Sequence, residues 1–246
     1  MTPTAQQRLA ARLPDPGAKP VMFQHWADLL FLHWEYPAET LRDLLPTGLH
    51  LDTHEGKAYL GIVPFFMSDI RPRFLPAVPW LSKFQELNLR TYVYDDEGTP
   101  GVWFLTLDAA NPIAVALART FFHLPYRLSC MSATGRDKIN YESHPCNGRK
   151  SNYVYPRPTN GIEAAPDTLE FFLLERYFLF AHNPKRDRLY RGQVIHAPYR
   201  FSLTSAKEWS TNPITECGLP APEGPPTHQA VASGFDVRIL PLQRLR

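Results

Sequence analysis

The sequence predicts a β-rich α+β protein, a β-barrel or sandwich with two or three peripheral helices. Short apolar segments are bounded by turn signals about every ten residues, which is the pattern of closed or packed antiparallel sheets. Few stretches carry a helical period, and neither an internal repeat nor a linker of biased composition divides the 246 residues. Residues 22–246 are therefore expected as one domain behind a flexible N-terminal tail, or loose helix, at 1–21.

Taken in order, Trp26 to Glu35 reads as a buried strand and Pro37 to Leu45 as a short helix with proline in its first turn. Leu49 to Thr53 and Lys57 to Met67 read as two strands about the turn His54-Glu55-Gly56. Residues 69 to 83 hold three prolines among large apolar groups, a composition excluded from a sheet interior, and are expected as a loop over an opening. Phe84 to Val93 is the next strand. After the turn 95–101, Val102 to Asp108 is apolar on both faces, as a central strand should be. Asn111 is placed to cap a helix running to Pro125. Tyr126 to Ala133 is another strand, followed by an irregular region from Gly135 to Gly161. Asp167 and Glu170 have capping-box spacing. Arg176 to His182 and Asp187 to His196 form a hairpin, 212–228 is loop, and Phe235 to Leu240 is the last strand.

The strand FQELNLRTYV sorts its residues most sharply. Side chains alternate across a strand, so Phe84, Glu86, Asn88, Arg90 and Tyr92 share one face. An acid, an amide and a guanidinium in a row either line a pocket for one small polar molecule or face water on a half-exposed strand.

Composition narrows the partners. The chain is 44% hydrophobic and 20% charged with a formal net charge of +2, and it has no basic block, so neither nucleic acid nor a membrane surface is indicated. Small molecules remain. Its 19 arginines outnumber seven lysines, which suits carboxylate recognition and semi-buried ion pairs. Cys130, Cys146 and Cys217 have no paired spacing and fit a reducing cytoplasm, with Cys130 read as a small buried apolar group. The N-terminal stretch has no apolar core of the signal-peptide kind, and no run reaches membrane-spanning length. No phosphate loop, nucleophile elbow or zinc-binding helix motif is present, and His50, His54 and Asp52 do not amount to a metal site.

Several separate motifs, in order, resemble the uncharacterised YqjF-like family: Trp26 to Trp34, Val63 to Arg73, Glu86 to Val93, Gly101 to Ala109, Ala118 to Tyr126, and Glu175 to Tyr177. That family is similar in turn to acetoacetate decarboxylase, which implies an acetoacetate decarboxylase-like antiparallel β-barrel or β-cone enclosing a small-molecule pocket. The resemblance places Glu86 where the decarboxylase has a pocket glutamate. It places Tyr126 where the decarboxylase has its Schiff-base lysine. A phenol cannot form an imine, so decarboxylation by that route is not expected.

The expected ligand is therefore a small carbonyl- or carboxylate-bearing molecule, bound without metal or cofactor. Glu86 and Tyr126 are the candidate acid-base residues. Asn88 and Arg90 are the candidate orienting amide and anion clamp, and His33, Arg119, Glu175 and Tyr177 complete the candidate ligand-binding set. A lyase, hydratase or isomerase is one reading; a binding or sensing module that kept the pocket is the other. Assembly as a homo-oligomer is left open.

Overall fold

A computed structural model describes residues 2–14, 16–78 and 82–245. Helix α1 (Ala5–Ala10) starts at a capping box in which Thr4 and Gln7 satisfy each other's backbone N–H groups. The segment expected as a flexible tail is tied down: Arg8 is buried and ion-paired to Asp52. Strands β1 (Met22–Ala27) and β2 (Leu29–Tyr36) replace the single strand expected at 26–35. They part at Asp28, whose φ of 51° turns the chain. Helix α2 (Ala38–Arg42) follows Pro37, then come β3 (Leu49–Leu51) and β4 (Ala58–Pro72). These two do not form the expected hairpin, because β3 pairs instead with β5 (Phe84–Asp95). The sheet also runs further than expected, since β4 extends through Pro72 and only 73–83 is loop, of which 79–81 lie outside the described residues.

Strand β6 (Pro100–Ala109) leads into α3 (Pro112–Phe121). Asn111 Oδ1 caps that helix by accepting from the Ile113 and Ala114 N–H groups at 3.0 and 3.1 Å. Next come β7 (Tyr126–Thr134), where a strand was expected, and β8 (Lys138–Pro145) and β9 (Ser151–Pro156), which extend it into an antiparallel sheet where the sequence suggested irregular chain. Ile139, Tyr141, Tyr153 and Tyr155 point inward every second residue. The polar residues between them are simply the wet face. Gly135, at φ 101°, makes the β7–β8 turn, where a Cβ would lie 1.9 Å from the Lys138 carbonyl. Cys130 sits on the outer side of β7 and is exposed, not buried as expected.

Helix α4 (Leu169–Leu174) is capped by Thr168, not by Asp167. Strands β10 (Phe178–Asn183) and β11 (Arg188–His196) form the expected hairpin. The remaining elements are β12 (Phe201–Leu203), α5 (Asn212–Glu216), β13 (His228–Ala232), β14 (Phe235–Ile239) and β15 (Gln243–Arg244). The described residues hold five helices rather than two or three. The one at 212–216 falls in the segment expected as loop and spans under two turns, too few for a helical period to register in sequence.

Seven strands close a barrel: β4 pairs β5, and the circuit continues through β6, β10, β11, β14 and β1 back to β4. Closure is antiparallel except at β6–β10, where Val102 and Trp103 run parallel to Leu179 and Phe180. The far half of β6 leaves the barrel to pair in parallel with β7. Beside it, the first half of β4 pairs β2, which carries β13 and β12.

The packing of this outer layer decides which way β5 faces. Leu87 and Leu89 bury against Ile62, Tyr141, Tyr153 and Tyr155 in one apolar cluster. Each such leucine contributes roughly 1.5–3 kcal/mol by leaving water, so the apolar side of β5 turns outward beneath β8 and β9. The polar row is thereby directed into the barrel.

Candidate functional site

The barrel encloses a cavity of about 220 Å³ whose walls include Phe84, Glu86, Asn88 and Arg90. The alternation read from the sequence holds along β5, and the row is enclosed rather than solvated: all four side chains are buried. Other walls change phase on the way. On β6 the register slips between Leu89 and Arg90, which face Thr106 and Phe104, leaving Leu105 as an extra residue. The cavity face therefore runs Val102, Phe104, then Leu107. On β4, Asp69 at φ 52° sits at a similar slip, so Val63, Phe65 and Met67 are continued by Ile70 and Pro72.

Tyr126 opens β7 beside Leu107 and donates its hydroxyl to Glu86 Oε2 at 2.6 Å. The other Glu86 carboxyl oxygen has no hydrogen-bond partner among the described residues. Burial pushes the carboxyl up to about 8; the Tyr126 bond holds it down in part, and the Asp108 charge adds to the rise. Tyr126 itself is driven well above the ordinary phenol value, by burial first and then by Glu86. Near neutral pH the pair is a neutral carboxyl hydrogen-bonded to a phenol, able to give up or take a proton within the physiological range.

Positive charge gathers at the other end of the row. Arg90 lies over the rings of Phe31 and Tyr92 at 5.4 and 5.7 Å and donates one long bond, 3.3 Å, to the Leu173 carbonyl. Among the described residues no carboxylate pairs with it, and its buried Nε has no partner; the same holds for Asn88 Oδ1. Arg176 also lines the cavity. It donates to the Phe172 carbonyl and to Asp52, both at 2.7 Å, while its Nη2 stays unpartnered. Asp52 is shared with Arg8, which grips it through two nitrogens at 2.6 and 2.8 Å. One carboxylate thus serves two guanidiniums. Burial pulls Arg176 down to about 10, against the opposing pull of Asp52.

Four residues expected at the ligand lie outside the cavity wall. His33 is buried behind it, with Nε2 2.7 Å from the Tyr92 hydroxyl and Nδ1 2.9 Å from His228 Nδ1. Arg119 is exposed on α3 and donates to the Tyr126 carbonyl at 2.6 Å, which steadies the residue that does face the cavity. Glu175 accepts from the Tyr177 hydroxyl, from the Tyr199 N–H at 2.9 Å and from Arg12 at 3.3 Å. Tyr177 stacks on His196 at 4.5 Å. Arg176, between them in sequence, faces the cavity instead. Arg176, which the sequence placed in a polar cluster but not in the ligand-binding set, and Tyr199, which it did not single out, are wall residues. The ERY motif held the clue to the first, but its partner Asp52 lies too far along the chain to be paired by inspection.

All seven lysines are exposed, and none lines the cavity. No group of three metal-ligating side chains occurs among the described residues, and none of their helices is long and apolar enough to cross a membrane.

With this geometry in place, comparison with known proteins is specific. The sequence profile of DUF2071, a family of uncharacterized conserved proteins, matches residues 23–236. The uncharacterized protein YqjF of Bacillus subtilis (strain 168) is 38% identical over 228 residues, which cover 91% of this chain and 92% of that protein. Among solved structures, the enduracididine biosynthesis enzyme MppR, complexed with the condensation product of pyruvate and imidazole 4-carboxaldehyde, superposes with a TM-score of 0.65 at 12% identity. The superposition covers 92% of this chain and 90% of that one. Acetoacetate decarboxylase from Legionella pneumophila subsp. pneumophila str. Philadelphia 1 gives 0.63 at 11% identity, covering 93% and 88%. The fold is acetoacetate decarboxylase-like.

Proposed function

This chain belongs to the DUF2071 family, and from that premise we propose that its barrel binds a small 2-oxo acid and moves a proton at the carbon next to the oxo group. The observation that carries the reading is the buried guanidinium of Arg90, without a carboxylate among the described residues and with its Nε unpartnered, in one cavity with Asn88 and Glu86. Leaving a buried donor unpaired costs about 1–3 kcal/mol, and more for a charge; a carboxylate ligand relieves that cost at Arg90. A fold neighbour complexed with a pyruvate-derived condensation product supports the choice of 2-oxo acid.

The order of groups along β5 matches such a ligand. Arg90 takes the carboxylate, the Asn88 amide N–H donates to the oxo oxygen, and Glu86 meets the third carbon. In its ionised form Glu86 removes a proton from that carbon, the electron pair moves into an enolate at the oxo oxygen, and return of the proton restores the ketone. Asn88 and Arg90 stabilise the enolate. Imine chemistry has no part, since every lysine is exposed. Two exposed thiols, Cys130 and Cys146, fit a reducing cytoplasm.

The test is deuterium exchange at the third carbon of pyruvate and 2-oxobutyrate in heavy water, followed by proton NMR, with affinity measured by calorimetry. The full chain is expected to bind and exchange. Glu86→Gln is expected to lose about 100-fold or more in exchange while keeping its affinity within severalfold, and Arg90→Met to lose binding. Binding without exchange would make the protein a sensing module, and no binding at all would remove the reading.

A further inference from the structure

Resting on that reading, we infer that the natural ligand is an amphipathic 2-oxo acid, with an apolar chain or aromatic ring that lies beneath α3, and that Ala114 and Ala118 set how long it can be. The charged lining is confined to Glu86, Arg90 and Arg176, and most of the remaining lining is apolar. Arg90 lies over Tyr92 at 5.7 Å, and that ring packs on Phe172 at 5.3 Å behind the lining. Glu86 stands towards the other end of the row, where Phe84, Ala109 and Ala114 share one apolar cluster. Beyond Glu86 on β4 and β5 the walls are Phe84, Met67 and Ile70, and Leu117 and Phe122 line the cavity from α3 and its end, with no charged group among them.

The charged end is built for one anionic head. Arg8 and Arg176 share Asp52, leaving one surplus positive charge, and Arg90 adds another. Two guanidinium nitrogens there, Arg90 Nε and Arg176 Nη2, are buried and unpartnered. Pyruvate, held between Arg90 and Glu86, leaves the apolar lining beyond Glu86 in a 220 Å³ cavity uncovered. Water against that lining would find few polar partners, whereas an alkyl or aryl tail would bury apolar surface on both sides.

Helix α3 supplies the length gauge. Ala114 and Ala118 stand one turn apart on the cavity side, together with Leu117. The two alanines leave open the space a larger side chain would occupy.

Calorimetry on the full chain with pyruvate, 2-oxobutyrate, 2-oxohexanoate, 2-oxooctanoate and phenylpyruvate tests this. Affinity is expected to rise about fourfold per methylene until the cavity is full. Ala118→Leu is expected to abolish that gain for the long acids and to leave pyruvate unchanged. If that variant does not melt cooperatively, Ala118→Val reads the same effect in smaller measure. Affinity that is flat or falls with chain length, with pyruvate still bound, overturns the tail and leaves the proposed function standing. Failure of every acid to bind overturns both.

Discussion

The Tyr126 hydroxyl and the Glu86 carboxyl meet at 2.6 Å inside the barrel, which ties the start of β7 to β5. The same contact makes the titration of Glu86 measurable in two ways.

The first is stability. Glu86 stands at about 8 when folded against 4.5 when free. Between those values the folded chain holds a proton that the unfolded chain releases, so the stability this carboxyl contributes is complete below pH 4.5 and is lost as pH rises through 8. Glu86→Gln, which stays neutral and can still accept from Tyr126, is expected to melt at nearly wild-type temperature at pH 5 and above it at pH 9. Parallel melting curves for the two proteins across that range would show that the carboxyl is not buried.

The second concerns Tyr126→Phe. Removing a hydrogen bond to a buried carboxyl is expected to destabilise by about 1–3 kcal/mol in urea unfolding. The phenol holds the Glu86 value down, so its loss moves the rise of proton exchange with pH upward. A midpoint that stays in place would separate the phenol from the acid.

Asp52 is the larger risk to the fold. It is fully buried between Arg8 and Arg176, and Asp52→Asn leaves two guanidiniums uncompensated, expected to cost about 3–5 kcal/mol. Arg8→Ala leaves Asp52 paired to Arg176 and is expected to cost less than half as much. It should also open the segment 2–14 to proteolysis. Equal losses for the two variants would contradict the shared-aspartate arrangement.

Acid acts through histidine. Burial lowers His228 and His196 to about 4 from 6.5, and His33 is lowered well below 6.5 by burial first and then by His228 and Arg90. Between pH 6.5 and 4 the unfolded chain takes up protons that the folded chain refuses, so stability falls as pH drops through that window. His228→Gln is expected to flatten the slope by up to about 1.4 kcal/mol per pH unit. An unchanged slope would show that His228 titrates normally.

Local patterns were legible wherever one periodic face met one kind of environment. The row from Phe84 to Arg90 and the Asn111 cap both read directly from spacing. Strands β8 and β9 were missed because their polar outer residues and flanking turn residues outweighed the tyrosines beneath. His33 was placed at the ligand from its position on a strand, but Asp28 breaks that strand and carries β2 outside the closed barrel. Strand pairing, not periodicity, decides such a side chain's surroundings.

Composition, alternation and turn chemistry determined that this chain forms short strands with an acid, an amide and an arginine on one face, because those signals act within a few residues. Tertiary structure alone decided that the face turns inward, since the burial of Leu87 and Leu89 beneath tyrosines more than 50 residues away directs it there. It decided equally that Arg8, Asp52 and Arg176 share one charge balance. Buried ionic partners must meet in space, and their distance along the chain carries no trace of it.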